Sequence, residues 1–227
     1  MYAFLLLCLL LAIPASLAWL VRPDLRLMAG RMAVVSLPFA LTERLFYPTY
    51  WETRFLFDLV DRIGFGIEDV LFVTTLAVFT SIGWAAVTRM RFVGPAGLGP
   101  AAWRRGGTVL GGCLLAGVIA WGLGWPMIHV SPGIMAGAGA LVGWRRPDLW
   151  GPGLGSAALT VLVYTAVCLA LQALVPGVFG LTWHAQRFSN LFVAGVPLEE
   201  VVYAAGAGWI GAVFYPYVAG LRWERLE

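Results

Sequence analysis

The chain has 227 residues, of which 60% are hydrophobic and only 12% charged, with a mean hydropathy of +0.83. Soluble domains carry about 25% charged residues, so this composition excludes an ordinary soluble fold and indicates an integral membrane protein. The net charge of +3 comes from arginines that flank apolar runs instead of clustering on a recognition helix, which gives no reason to expect nucleic acid as a partner.

Apolar runs of about 20 residues, the length a helix needs to cross hydrocarbon, recur at 2–21, 27–47, 66–87, 106–125, 127–144, 153–175 and 197–218. They predict seven transmembrane helices. The first run has no basic segment before it and continues into Arg22-Pro23-Asp24-Leu25 without a cleavage site, so it is expected to remain as a helix. Near the end of the second run, Glu43-Arg44 reads as a local intramembrane ion pair.

Between runs two and three, Trp51, Phe55, Leu59 and Ile63 recur every four positions while Glu52, Asp58, Asp61 and Arg62 face elsewhere. This predicts a short helix over Tyr50 to Gly64 lying in the membrane interface, with Tyr50 and Trp51 as anchors. The stretch Trp183, His184, Arg187 and Asn190 is a weaker counterpart, in which Trp183 is an anchor and Arg187 a candidate to neutralise an acidic doublet. Asp58-Leu59-Val60-Asp61 has the look of an aspartate-rich diphosphate motif but occurs once, without a partner.

Run three opens with Gly66-Ile67-Glu68-Asp69 and run seven with Pro197-Leu198-Glu199-Glu200. A Glu in the first turn of a helix is often only a partner for the helix dipole. Two doublets at equivalent places are harder to explain that way, because up to four carboxyls then converge where desolvation is costly. Consecutive helical residues point about 100° apart, so within each doublet one carboxyl faces a cavity and its neighbour faces an adjacent element.

Other motifs are weaker. Cys8, Cys113 and Cys168 lie in separate helices without CxxC spacing and read as small buried apolar residues. His129 and His184 lack ligand spacing, and Gly122-Leu123-Gly124 and Gly137-Ala138-Gly139 suggest close helix packing. No GxGxxG follows a strand, so no flavin or nicotinamide site is expected, and without ligand spacing among the cysteines and histidines no metal site is expected either.

The Arg-Pro-Asp-Leu tetrads at 22–25 and 146–149, tryptophans Trp51 and Trp183, and the two doublets recur in the same order at nearly the same offset. They predict two parallel three-helix repeats, 1–105 and 126–227, joined by a linker transmembrane helix at 106–125, with a shared cavity at their interface. Ten arginines (22, 26, 89, 91, 104, 105, 145, 146, 222 and 225) fall on one side of this seven-span arrangement and four (44, 54, 62 and 187) on the other. The positive-inside rule then puts the N-terminus outside and the C-terminus in the cytoplasm.

The PxEE motif of Pro197, Glu199 and Glu200, the upstream tryptophan and the duplication with Glu68 and Asp69 resemble the non-flavin lycopene cyclase family, whose members occur as two small subunits or one fused chain. Nearly the whole chain is similar to the fused form. In that family the PxE(E/D) motif is regarded as the acidic catalytic centre, which implies Glu199 and Glu200 as catalytic, with Glu68 and Asp69 as their counterparts. Gly66 departs from the pattern by replacing the proline.

The implied reaction is acid-initiated carbocation cyclisation of a lycopene-like polyene to ionone-type end rings in carotenoid biosynthesis, without redox change or cofactor. Phe72, Tyr203 and Trp209 are candidates to stabilise the cation. Membrane lipids would be its surroundings, with a second copy of the chain or other carotenoid enzymes as candidate partners. Two other readings stay open: a different membrane terpenoid cyclase or prenyl-chain enzyme, and a small proton-coupled transporter.

Overall fold

In hydrocarbon a backbone must close its own hydrogen bonds, and a single apolar run can do so only as a helix. The computed structural model, which describes residues 2–94 and 98–225, follows this rule with helix nearly throughout. Seven segments are long and apolar enough to cross a membrane: Ala3–Val21, Pro23–Leu45, Ile67–Thr88, Pro100–Gly122, Met127–Arg145, Pro147–Leu174 and Leu198–Ala219.

In chain order, α1 (Ala3–Val21) and α2 (Arg26–Ser36) are followed by a 3-10 stretch, Leu37–Leu45. The second run is therefore not one α-helix. Pro38 has no N–H to give, and the chain tightens from there on, which sets the direction of Glu43. Next come α3 (Leu59–Ile63), α4 (Ile67–Thr88), β1 (Met90–Val93), α5 (Pro100–Gly122), α6 (Met127–Arg145), α7 (Trp150–Leu174) and α8 (Val178–Thr182). The chain ends with β2 (Phe192–Val193), β3 (Val196–Pro197), α9 (Leu198–Ala219) and β4 (Arg222–Arg225).

The interface helix expected over Tyr50 to Gly64 is corrected to a short 3-10 turn, Leu56–Asp58, leading into the five-residue α3. Phe57 and Asp58 take left-handed φ values of 58° and 51°, which no α-helix admits. The four-residue apolar period is used differently: Tyr50, Trp51 and Phe55 are buried at 2%, 7% and 1% exposure, and Trp183 at 2%. These aromatics are core residues, not interfacial anchors.

α9 is the most enclosed span and packs on α4, α6 and α7. Its glycines permit the approach. A Cβ on Gly208 would lie 2.6 Å from Thr160 Oγ1, and one on Gly206 would lie 3.1 Å from the Pro132 carbonyl oxygen. Gly139 likewise faces the Trp209 indole, whereas Gly122, Gly124 and Gly137 have nothing within 4 Å, so close packing explains only part of the glycine-rich stretches.

The two Arg-Pro-Asp-Leu tetrads form the same structure. Each is a short 3-10 turn in which the Arg guanidinium grips the Asp carboxylate two residues on, Arg22 on Asp24 at 2.9 and 2.7 Å and Arg146 on Asp148 at 2.8 and 2.6 Å. Each Arg also reaches a third element, Arg22 the carbonyl of Ala85 near the end of α4, and Arg146 the carbonyl of Leu221 just past α9 at 2.9 Å. The Asp carboxylate raises the Arg146 guanidinium above its already high ordinary value, so the cation is permanent. Strands β1 and β4, which follow these same two helices, pair antiparallel from Met90↔Arg225 to Val93↔Arg222.

Candidate active site

Each acidic doublet begins a long helix, but the two helix starts are built differently. Gly66 precedes α4 with an N–H that donates to Asp69 Oδ2 at 2.6 Å, so the Asp69 side chain reaches back to cap the helix start. A Cβ at Gly66 would meet Phe55 Cδ1 at 2.5 Å and Glu68 Oε2 at 2.6 Å, so neither proline nor any other side chain fits there. Pro197 has no N–H to offer, and Glu200, the counterpart of Asp69, is left to turn inward.

The first acid of each doublet does the same local job. Glu68 Oε1 accepts the Leu56 N–H at 2.7 Å and Glu199 Oε1 accepts the Ser189 N–H at 2.9 Å, so each ties down the loop that leads into its helix. In both, Oε2 is buried with no hydrogen-bond partner among the described residues. Arg187 is exposed and does not neutralise a doublet. The basic group near Glu199 is His129, whose Nε2 lies 3.7 Å from Oε1.

The second acids face inward. Glu200 is 4% exposed and accepts three hydrogen bonds, from Tyr164 Oη at 2.7 Å, Trp183 Nε1 at 2.9 Å and Tyr50 Oη at 3.0 Å. Burial, and then the Glu200 carboxylate beside it, push the Tyr50 phenol far above its ordinary value, so it stays a neutral donor. Asp69 meets Glu43 carboxyl to carboxyl, and Glu43 Oε1 also takes the Trp51 Nε1–H at 2.5 Å. The expected Glu43–Arg44 pair is thus corrected: Glu43 turns to Trp51 and Asp69, while Arg44 lies over Gly64.

Asp69, Glu43 and Glu200 line one cavity of about 530 Å³ whose remaining wall is almost wholly apolar. Phe4, Phe72, Tyr203 and Trp51 surround the acidic region, while Leu76, Ile210 and Phe214 continue the wall along α4 and α9. Phe72 stands 6.2 Å from Tyr203 and 6.4 Å from Tyr164, centroid to centroid. α2 contributes Met32 and Val35 to the lining, and α5 contributes Val109 and Leu110.

Of the residues singled out in the sequence, Asp69, Glu200, Phe72 and Tyr203 come together here, and Glu68 and Glu199 lie just behind as loop clamps. Trp209 does not join them, because it stacks on Trp150 at 5.2 Å and fills the space over Gly139 and Gly153. Asp58 and Asp61 are exposed and outside the cavity. Sequence reasoning missed Tyr164, which had no local signal, and the partnership of Glu43 with Asp69, which had one: a carboxylate inside an apolar run.

Among the described residues no group of three His, Cys, Asp or Glu side chains is placed to hold a metal ion. What the cavity offers is carboxyl groups in an otherwise apolar, aromatic-lined chamber. Such a site can donate a proton to an apolar molecule, shelter a cation and take a proton back.

No curated protein and no solved structure matches the chain. Residues 127–218, from the start of α6 nearly to the end of α9, match a family model described as lycopene cyclase. The matched segment contains Glu199 and Glu200 together with Tyr164 and Trp183, and over these residues the chain is similar to the lycopene cyclase family.

Proposed function

We propose that the chain is a membrane-embedded lycopene cyclase that closes ionone-type rings by acid-initiated carbocation cyclisation. The observation that carries this reading is the convergence of Glu43, Asp69 and Glu200 on one otherwise apolar, aromatic-lined cavity. The family match over residues 127–218 supports it. A polyene is itself a membrane solute, which suits a cavity formed among membrane-spanning helices.

The end of the polyene takes a proton on its terminal double bond, and the charge moves to the adjacent branched carbon. A nearby double bond attacks that carbon and closes the six-membered ring. Loss of a proton from a carbon next to the new cation sets the ring double bond. Phe72, Tyr203 and Tyr50 line the cavity as aromatic neighbours for the travelling charge, and the apolar wall disfavours water that would quench it. Glu200, held by three donors, is suited to act as the fixed anion of the site.

Expression in a lycopene-accumulating host tests the proposal. Monocyclic or bicyclic carotenoids should form in membranes supplied with no flavin or nicotinamide. Unchanged lycopene, with the protein verified in the membrane, would overturn it.

A further inference from the structure

We propose that Glu43 is a further catalytic residue: with Asp69 it forms a carboxyl pair that holds one proton and delivers it to the polyene, leaving Glu200 to take a proton back. The inference rests on the cyclisation reading above and assigns the two halves of the chemistry to different acids.

Glu43 sits on the 3-10 stretch Leu37–Leu45, is 5% exposed and lines the cavity. Its Oε1 takes the Trp51 N–H, and Asp69 Oδ2 takes the Gly66 N–H. Each carboxyl thus has one outside donor, and beyond that the two have each other. A carboxylate is only an acceptor, so two facing carboxyls make a hydrogen bond only when a proton lies between them. Among the described residues neither carboxyl forms a salt bridge.

Glu200 is provided for in the opposite way. Trp183 can only donate, and with Tyr50 and Tyr164 it aims three hydrogens at the two carboxylate oxygens. The arrangement satisfies an anion and leaves no acceptor for a carboxyl hydrogen directed at the indole. The first centre thus needs a proton to be satisfied, whereas the second can be satisfied as an anion. Tyr50 and Trp51, adjacent in the chain, each serve one of them.

The step balances. The proton of the pair forms a C–H bond using the electrons of the terminal double bond, ring closure forms one C–C bond, and a ring proton leaves to Glu200 as its C–H electrons become the new double bond. One proton enters, one leaves, and no electrons are transferred. Before the next turnover Glu200 gives up the proton it took and the pair takes one up, so both acids return to their starting states.

The test compares wild type with Glu43→Gln, Glu43→Asp and Asp69→Asn, assayed for cyclisation and, in the purified protein without substrate, for the infrared carbonyl stretch of a protonated carboxylic acid in H₂O and D₂O. Glu43→Gln should lose roughly 10²–10⁴-fold in rate, as expected on removing a general acid. It should also lose the deuterium-sensitive band, and Glu43→Asp should restore part of both. A cyclising wild type with an undiminished Glu43→Gln rate, or a band unaltered in both Glu43→Gln and Asp69→Asn, overturns this inference alone. A wild type that never cyclises lycopene overturns the functional reading and this inference with it. Where Glu43→Gln does not accumulate, Glu43→Asp and Asp69→Asn carry the same comparison.

Discussion

Trp51 and Trp183 are bound to each other yet serve different acids. Their backbones form an antiparallel bridge and their rings meet edge to face at 5.5 Å, while the Trp51 N–H goes to Glu43 and the Trp183 N–H to Glu200. Replacing Trp183 with Phe keeps most of the apolar contact and deletes one hydrogen bond to a buried carboxylate. Such bonds contribute about 1.5–3 kcal/mol, so turnover should fall by roughly 10- to 100-fold. Rate assays on membranes with equal protein content check this.

Within each doublet the two acids should behave unequally. Glu200→Gln removes the cavity-facing carboxyl, and cyclisation should fall by roughly 10²–10⁴-fold. Glu68→Gln and Glu199→Gln alter residues that clamp loops from behind the cavity, so their effect should be smaller and should show first in thermal stability. Near-normal turnover in Glu200→Gln would remove that residue from the mechanism.

Gly66 should resist the proline that its counterpart position carries. Gly66→Pro deletes the N–H that caps Asp69 and drives ring atoms into Phe55 and Glu68. Overpacking alone costs about 1–3 kcal/mol. Thermal unfolding in detergent should show Gly66→Pro clearly destabilised and Gly66→Ala less so.

The Arg-Pro-Asp-Leu turns supply a prediction in which charge is kept. Arg22 is buried and bonds in a fork to Asp24 while also reaching Ala85, a geometry that a lysine ammonium cannot reproduce. Arg22→Lys should therefore lower the unfolding temperature. An unaltered melting curve would show that charge alone suffices.

Topology can be checked separately. From the arginine asymmetry, reporter fusions after Glu227 and in the loop near Arg104 should both report cytoplasm, and one at the N-terminus should report the outside. A periplasmic signal at either cytoplasmic position rules out this orientation.

The spans were legible because hydropathy needs only local sequence: Ile67–Thr88 and Leu198–Ala219 lie within a residue or two of the apolar runs that predicted them. The doublets were legible as costly charges. The site itself was not, because its bonds cross the chain, with Tyr50 reaching Glu200 across 150 positions and Tyr164 reaching it from another span. Residues 50–64 misled for a physical reason. An apolar period of four describes a face to be covered, and Trp51 and Phe55 are covered by the core instead of by lipid.

The asymmetry of the acids has a consequence for products. A long polyene has two alike ends, but the acid cluster formed by Glu43, Asp69 and Glu200 lies in one cavity and receives one end at a time. On this reading a molecule ringed at both ends must leave after the first closure, turn end over end in the bilayer and enter again. The half-finished carotenoid is then a free membrane species in competition with fresh substrate, and abundant lycopene should favour single-ringed products while scarce lycopene favours double-ringed ones.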